Sequence, residues 1–368
     1  MAFLLFLKNM IPKKKWTVLF LLLFTAIFIR LFCSNALAVE KYYSTALYPY
    51  LSAILKYSFG WLPFSMGDLL YGLLIVLAAI NMTRFIKLLY KRNITKDKLK
   101  RGLYKSVILL LVLYISFNLL WGINYNRKGI ASQLGIKLEK YSTQQLITVD
   151  SVLLQKVNES KAAVLRNGSS FNSTRAMLEQ SVIAYQQVAV QYPFLEYKPV
   201  SVKPSLWGWL GNYMGFIGYY NPFTGEAQLN TTVPQFLQPF TSCHEIAHQL
   251  GYAKENEANF AGYLAAAASP DTLFHYSVYL DLFLYAQRNL YDADSATAKS
   301  FGKKLLPEIK ADLKEWKDFN NRHKSLLEPL FKWAYGKYLE NNQQPSGMLS
   351  YDEVTGFLVA YYKKFGRL

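Results

Sequence analysis

Three long apolar runs dominate the first third of the chain: Trp16–Phe32, Leu69–Ile80 with its flanks, and Tyr104–Trp121. A bilayer core needs about 20 apolar residues per helix, so membrane spans are predicted at about 16–34, 66–83 and 104–122. The first run is followed by Ala36-Leu37-Ala38, which also reads as a signal-peptide cleavage site, so its removal is the alternative expectation. The second has Asp68 at its outer end and tapers into Asn81, which predicts a short or tilted span. Segment 41–65, rich in Tyr, Trp and Pro, is expected at the outer membrane interface, where amphipathic aromatics sit.

After about residue 129 the pattern changes to amphipathic periods, and some 240 residues suffice for one domain with a substantial core. Ser142 and Gln145 form a capping box that opens a helix to about Arg166, with Leu146, Val149, Leu153, Val157 and Ala162 at helical spacing. A second helix is predicted over about Thr174–Gln191, stopped by Pro193. Ser269-Pro270-Asp271 predicts an N-cap and an aromatic-rich helix to about Tyr291, and Ser350 with Glu353 a capping box before a last helix, Val354–Lys364. Between Tyr197 and Thr232 the period shortens. Lys198–Lys203 alternates, Met214–Tyr220 is a β-prone aromatic run, and the turn Asn221–Gly225 leads into Glu226–Thr231, so a small sheet with a hairpin is expected.

A formal charge of +17 invites a nucleic-acid reading until the charges are placed. Residues 1–128 hold 18 Lys/Arg and three acids (Glu40, Asp68, Asp97), whereas 129–368 hold 23 against 21. A nearly neutral second part excludes nucleic acid as its partner. The basic residues sit before the first run (Lys13, Lys14, Lys15) and between the second and third (Arg84 to Lys105). By the positive-inside rule both clusters are cytoplasmic, loop 84–103 included, and everything after Trp121 is extracytoplasmic. The two cysteines, Cys33 and Cys243, have no CxxC-type spacing, which excludes a disulfide framework, a zinc ribbon and an iron–sulfur site.

Candidate chemistry centres on His244-Glu245-Ile246-Ala247-His248. Two histidines four apart on a helix project from one face, so their imidazoles can converge on one Zn²⁺, and Glu245 can reach a water there without being a ligand. Two of the chain's four histidines fall in this pentapeptide. A third ligand is expected from Lys254–Ala261. At 100° per residue Glu255 and Glu257 point about 200° apart, so one of them faces the metal. Glu255 shares its face with Asn259, Gly262 and Ala266, residues that allow close approach, and is preferred; Glu257 shares a stripe with Phe260, Ala261, Leu264 and Ala268 and stays the alternative. Asn259 is expected to hydrogen-bond a ligating histidine. Cys243 is read as a buried inert thiol rather than a latency switch, and His275 and His323 as packing or surface residues.

HEIAH followed by Glu255-Asn256-Glu257-Ala258-Asn259 resembles the gluzincin metallopeptidases, in which a second helix supplies a glutamate through a Glu-x-x-Ala-Asp-like pattern; Asn259 stands where that pattern has Asp. The three apolar runs, GYYNPFTGEAQLN (218–230), CHEIAHQLGYAKENEANFAGYLA and SYDEV (350–354) together resemble a family of bacterial membrane proteins of unassigned function grouped with the zinc peptidases. The resemblance implies a membrane-anchored, mainly α protein: three N-terminal transmembrane helices in 1–128, then a zincin-like α+β domain, 129–368, with a small sheet and an HExxH helix. It further implies residence in the bacterial inner membrane, a periplasmic C-terminal domain and a peptide or protein substrate paired along the hairpin edge by β-augmentation. Tyr219 or Tyr220 would then stand near the oxyanion.

Two functions follow. One is a membrane-bound zinc metallopeptidase with Glu245 as general base; the other is a catalytically silent, membrane-anchored zinc-fold sensor or scaffold. Retention of Glu245 favours the first. An intramembrane protease is disfavoured, because Gln235–Gly251 is too short and polar for a span.

Overall fold

The computed structural model describes residues 13–91, 95–171 and 173–368; Arg92 of the basic segment lies outside the described residues. In chain order the N-terminal part runs through α1 (Lys13–Cys33), a short turn at Ala36–Ala38, a π-helix at Val39–Leu47, α2 (Tyr48–Phe59), α3 (Met66–Tyr90) and α4 (Lys96–Leu120). Then come α5 (Gly129–Leu134), α6 (Thr143–Asn167), α7 (Thr174–Gln191), β1 (Val202–Pro204), α8 (Gly208–Met214), β2 (Gly218–Asn221) and β3 (Glu226–Leu229). The remainder is helical: α9 (Gln238–Gln249), α10 (Glu255–Ala268), α11 (Thr272–Ala293), α12 (Ser295–Lys303), α13 (Pro307–Arg322), α14 (Leu327–Asn341) and α15 (Val354–Phe365). Contacts divide the chain into two units, one ending at Tyr48 and resuming over Leu69–Arg127, the other comprising Pro49–Asp68 and Lys128–Leu368. Segment 49–68, placed by the sequence pattern with the membrane region, thus counts with the C-terminal unit.

Lys15–Cys33, Met66–Tyr90, which lies in the first unit from Leu69 on, and Lys96–Leu120 are long and apolar enough to cross a membrane. Phe20, Phe24, Leu73, Ile75, Leu109 and Leu110 stand exposed on them, as suits a hydrocarbon surround and not water. The basic segment 84–103, expected as a loop, is largely helical. α3 continues to Tyr90 and α4 begins at Lys96, where the Thr95 hydroxyl accepts from Lys98 N. Lys, Arg and Leu are good helix formers and neither Gly nor Pro interrupts 84–101, so charge alone does not end the helix. At the other end of α4, Tyr43 donates to the Leu119 carbonyl at 2.9 Å, satisfying one of the carbonyls a helix terminus leaves open. Arg127 meets the Glu40 carboxylate through Nη2 at 2.7 Å and Nε at 3.0 Å.

The second unit is built on α11 against α6 and on α9 against α10. Leu146, Val149, Leu153 and Val157, the predicted stripe of α6, are buried, and both halves of the Ser142–Gln145 capping box form. Two caps differ from expectation. Asp271, not Ser269, caps α11 by accepting from Leu273 N, while Ser269 ends α10. Ser350 donates to the Gly347 carbonyl and Glu353 accepts from Asn256, so α15 opens without a side-chain cap. A shorter side chain in an extended N-cap reaches back to the helix; Ser350 lies inside a 3₁₀ turn, Gly347–Tyr351, and cannot.

The sheet has the order β1-β3-β2, with β1 parallel and β2 antiparallel to β3, Gly218 facing Leu229 and Asn221 facing Glu226. The hairpin is as expected, its turn held by Asn221 Oδ1 accepting from Phe223 N. Part of the aromatic run assigned to strand, through Met214, belongs instead to α8, which Gly215 terminates in the left-handed region at φ 79°. Helices α12, α13 and α14 lie between 295 and 341, where the hydrophobic pattern defined no element.

Candidate functional site

α9 is buried along its whole length, and His244 and His248 leave it on one face with ring centroids 4.7 Å apart. The chain turns through 250–254 and begins α10 with Glu255, whose Oε2 lies 3.2 Å from His244 Nε2 and 3.5 Å from His248 Nε2. Among the described residues, these three form a group whose potential ligand atoms all lie within 4.8 Å of one another. Gly262 makes this approach possible: a Cβ there would come within 3.0 Å of the His244 backbone nitrogen. The small-residue face predicted for α10 therefore does pack on α9. Glu257 is buried elsewhere, its carboxylate against the backbone of Gly129.

The remaining ring nitrogens are engaged. His248 Nδ1 lies 2.8 Å from the Tyr252 carbonyl, which can only accept, so Nδ1 carries the proton; His244 Nδ1 lies 2.7 Å from Asn259 Oδ1, the partner anticipated from sequence. In the neutral form of each ring Nε2 then carries a lone pair toward Glu255 Oε2, and in the protonated form it donates there instead. The other oxygen of that carboxylate accepts from the Tyr335 hydroxyl at 2.6 Å, and Glu255 N donates to Gln344 Oε1 at 2.8 Å. Tyr351 stacks over His244 at 6.1 Å, its carbonyl accepting from Asn259 Nδ2.

Within this cluster two buried oxygens are without a hydrogen-bond partner, Glu255 Oε2 and Glu245 Oε2. Burial penalises a charged carboxylate and lifts Glu245 to about 7, against the pull of the two histidines. Burial would also lift Glu255, but the adjacent imidazoles outweigh it and hold this carboxyl far below the usual range. For His248 burial works downward and the Glu255 charge more than reverses it, to about 9. Asp281 on α11 is raised to about 7 by burial, with His244 opposing. Two imidazole nitrogens and a carboxylate oxygen form a donor set that suits a tetrahedral divalent ion with one open position, and the unpartnered Glu255 Oε2 faces that space.

Strand β2 passes directly beside Glu245. A Cβ on Gly218 would lie 2.6 Å from Glu245 Oε1, so only glycine admits the strand here. Its neighbour Tyr219 is turned the other way, donating to the Asp68 carboxylate and lying 3.1 Å from Ser205 Oγ. Tyr220 shares the face of Gly218 by strand alternation. Cys243 is fully buried, and burial pushes its thiol up. His275 Nε2 and His323 Nδ1 lie on the carbonyls of Ser269 and Phe319, away from the group just described.

Tyr335, Gln344 and Tyr351 were not singled out from sequence. Each stands more than 80 residues beyond the histidines, in aromatic or polar surroundings with no motif, and only Tyr351 falls within the SYDEV segment.

No curated protein and no solved structure matches the chain. A family model does, over residues 43–359, which include every member of the His/Glu cluster and its hydrogen-bond partners. The chain belongs to the family of that model, described as "Protein of unknown function (DUF3810)".

Proposed function

We propose that the chain is a membrane-anchored zinc metallopeptidase of the gluzincin kind, with His244, His248 and Glu255 as ligands and Glu245 as general base. The observation that carries the proposal is the convergence of both Nε2 atoms on Glu255 Oε2, at 3.2 and 3.5 Å, with their Nδ1 atoms already engaged. A zinc ion held there would acidify a water and polarise the scissile carbonyl. Glu245 takes the proton of the attacking water and returns it to the departing amine, a dual role favoured by an acid lifted to about 7. β2 is an edge strand, and an extended peptide can add to it. Tyr220 keeps the oxyanion role, whereas the phenol of Tyr219 is committed to Asp68. The basic clusters orient this unit outside the cytoplasm, in the periplasm of a bacterial cell.

The scaffold reading draws on a different observation: His244, His248, Glu245 and Glu255 are all less than a tenth exposed. One experiment separates the two. Purified full-length protein is analysed for metal beside His244→Ala, and a peptide library is offered to wild type and Glu245→Gln. About one zinc per chain, lost in the histidine variant, with hydrolysis lost in the glutamine variant, supports the peptidase. Zinc without turnover supports the scaffold, and absence of zinc refutes both.

A further inference from the structure

α14 has two unlike faces. Inward, Phe331, Tyr335 and Tyr338 stack in succession at 5.9 and 5.7 Å, and Tyr335 reaches Glu255. Outward, Leu326, Leu330 and Trp333, at spacings of four and three, form one stripe; Leu326 is 94% exposed and Trp333 64%. Isolated apolar residues on a surface need no explanation, but a continuous stripe does.

α14 is linked, by way of α8, to the first turn of a helix long and apolar enough to span a membrane. Ser325 Oγ donates to the Tyr213 carbonyl at 2.5 Å and Phe331 lies 5.7 Å from Phe216, which joins α14 to α8 and its exposed Trp209. Just before α8, Leu206 N donates to Asp68 Oδ2 at 2.6 Å and Trp207 Nε1 to the Asp68 carbonyl at 3.0 Å. Asp68 belongs to the opening turn of Met66–Tyr90, one of the three helices long and apolar enough to span a bilayer. Leu206 and Trp209 are exposed residues tied through Asp68 to that opening turn, and α14 is joined to the same segment through Ser325 and Phe331. The four charged residues of α14 itself are paired, Lys332 with Glu328 and Lys337 with Glu340, both at 2.6 Å.

We infer that Leu206, Trp209 and the Leu326–Leu330–Trp333 face of α14 form a bilayer-docking surface, with α14 lying in the headgroup–acyl boundary while its inner face holds Glu255. Because the charges of α14 itself are neutralised in pairs, docking is driven by apolar burial and does not require anionic lipid. The inference rests on the membrane assignment and not on zinc, so it stands or falls separately from the proposed activity.

The test uses the full chain with Cys33→Ser, a nitroxide label at Leu330→Cys, Trp333→Cys or Lys314→Cys, and nanodiscs of zwitterionic lipid. Collisions with oxygen, which partitions into lipid, are compared with collisions with water-soluble chromium oxalate. At 330 and 333 oxygen should dominate, at a depth of roughly 5–10 Å below the phosphates, and at 314 chromium oxalate should. Labels at 330 and 333 that behave as the one at 314 overturn the inference. So do labels shielded from both reagents, the signature of a covering protein such as a second copy of the chain.

Discussion

Two clusters of buried charge lie in the C-terminal unit, and they are finished to different degrees. Around Glu226 every valence is met. Its oxygens accept from Met66 N, Gly67 N, Thr224 Oγ1 and Lys203 Nζ, and the three hydrogens of Lys203 go to Glu226, the Phe59 carbonyl and the Phe64 carbonyl. A closed set of this kind caps the first turn of α3 and asks for nothing more. Around Glu255 the same fold leaves Oε2 of Glu255 and Oε2 of Glu245 without a hydrogen-bond partner, the first of them 3.2 and 3.5 Å from two imidazole nitrogens. Unpaired buried oxygen is costly unless something completes it. Asp150 lies between the two cases: one oxygen accepts from Gln287 Nε2 at 2.7 Å, the other has no partner, and no histidine is its neighbour in the group of potential ligands. Its carboxyl is raised to about 7 by burial, with Gln287 opposing. An orphan oxygen alone thus invites a proton; beside two imidazoles it is the ligand atom that the proposed zinc site uses.

The contrast breaks most visibly at Glu226. Glu226→Ala strands the Lys203 ammonium and two helix N–H groups, and should cost about 3–5 kcal/mol, read as a lowered unfolding temperature of the full chain in detergent. If stability is unchanged, the closed cluster is not structural. Next comes metal removal. With free zinc about 1,000-fold above its Kd, stabilisation of about 4 kcal/mol is expected for wild type and none for His248→Ala, so a zinc-independent melt in wild type would contradict the open reading.

Asp150 supplies the pH test. Its folded pKa is raised above the unfolded value, so the protonated form belongs to the fold; its contribution is complete below about pH 4 and is lost as pH rises through about 7. Wild type should lose about 2–4 kcal/mol over that window relative to Asp150→Asn, whose melts lack this component. Parallel pH dependence in both proteins would show that Asp150 does not titrate with folding. The smallest effect is expected at Tyr335→Phe, which frees Glu255 Oε1 from its donor. Zinc affinity by competition titration should fall about 10–100-fold with the fold intact, and unaltered affinity would make that hydrogen bond irrelevant to the site.

The shared face of His244 and His248 was legible because four-residue spacing on a helix is a local code, and the hairpin was legible from Asn221–Gly225. The preference for Glu255 came from counting which face of α10 carries small residues, and Gly262 against the His244 backbone is the contact behind that count. Less was legible where local signals mislead. The basic segment 84–103 has the composition of a loop and the propensity of a helix, and helix prevails over most of it. Ser350 and Glu353 carry the spacing of a capping box, but a 3₁₀ turn spends the serine on Gly347. Tyr219 shares the hairpin with Gly218, yet its phenol serves Asp68, 151 residues earlier.

By itself the sequence determined the long apolar helices, the nearly neutral second part, and which residue types stand four apart on α9, because each of these is written in neighbours along the chain. Only the tertiary structure decided that Glu255 and not Glu257 meets both imidazoles, that Tyr335 holds Glu255 and Asn259 holds His244, and that the opening turn of α3 is held by Glu226 and Leu206. Those pairings join segments 15 to 159 residues apart, and their formation depends on packing faces and close backbone approach that no local periodicity encodes.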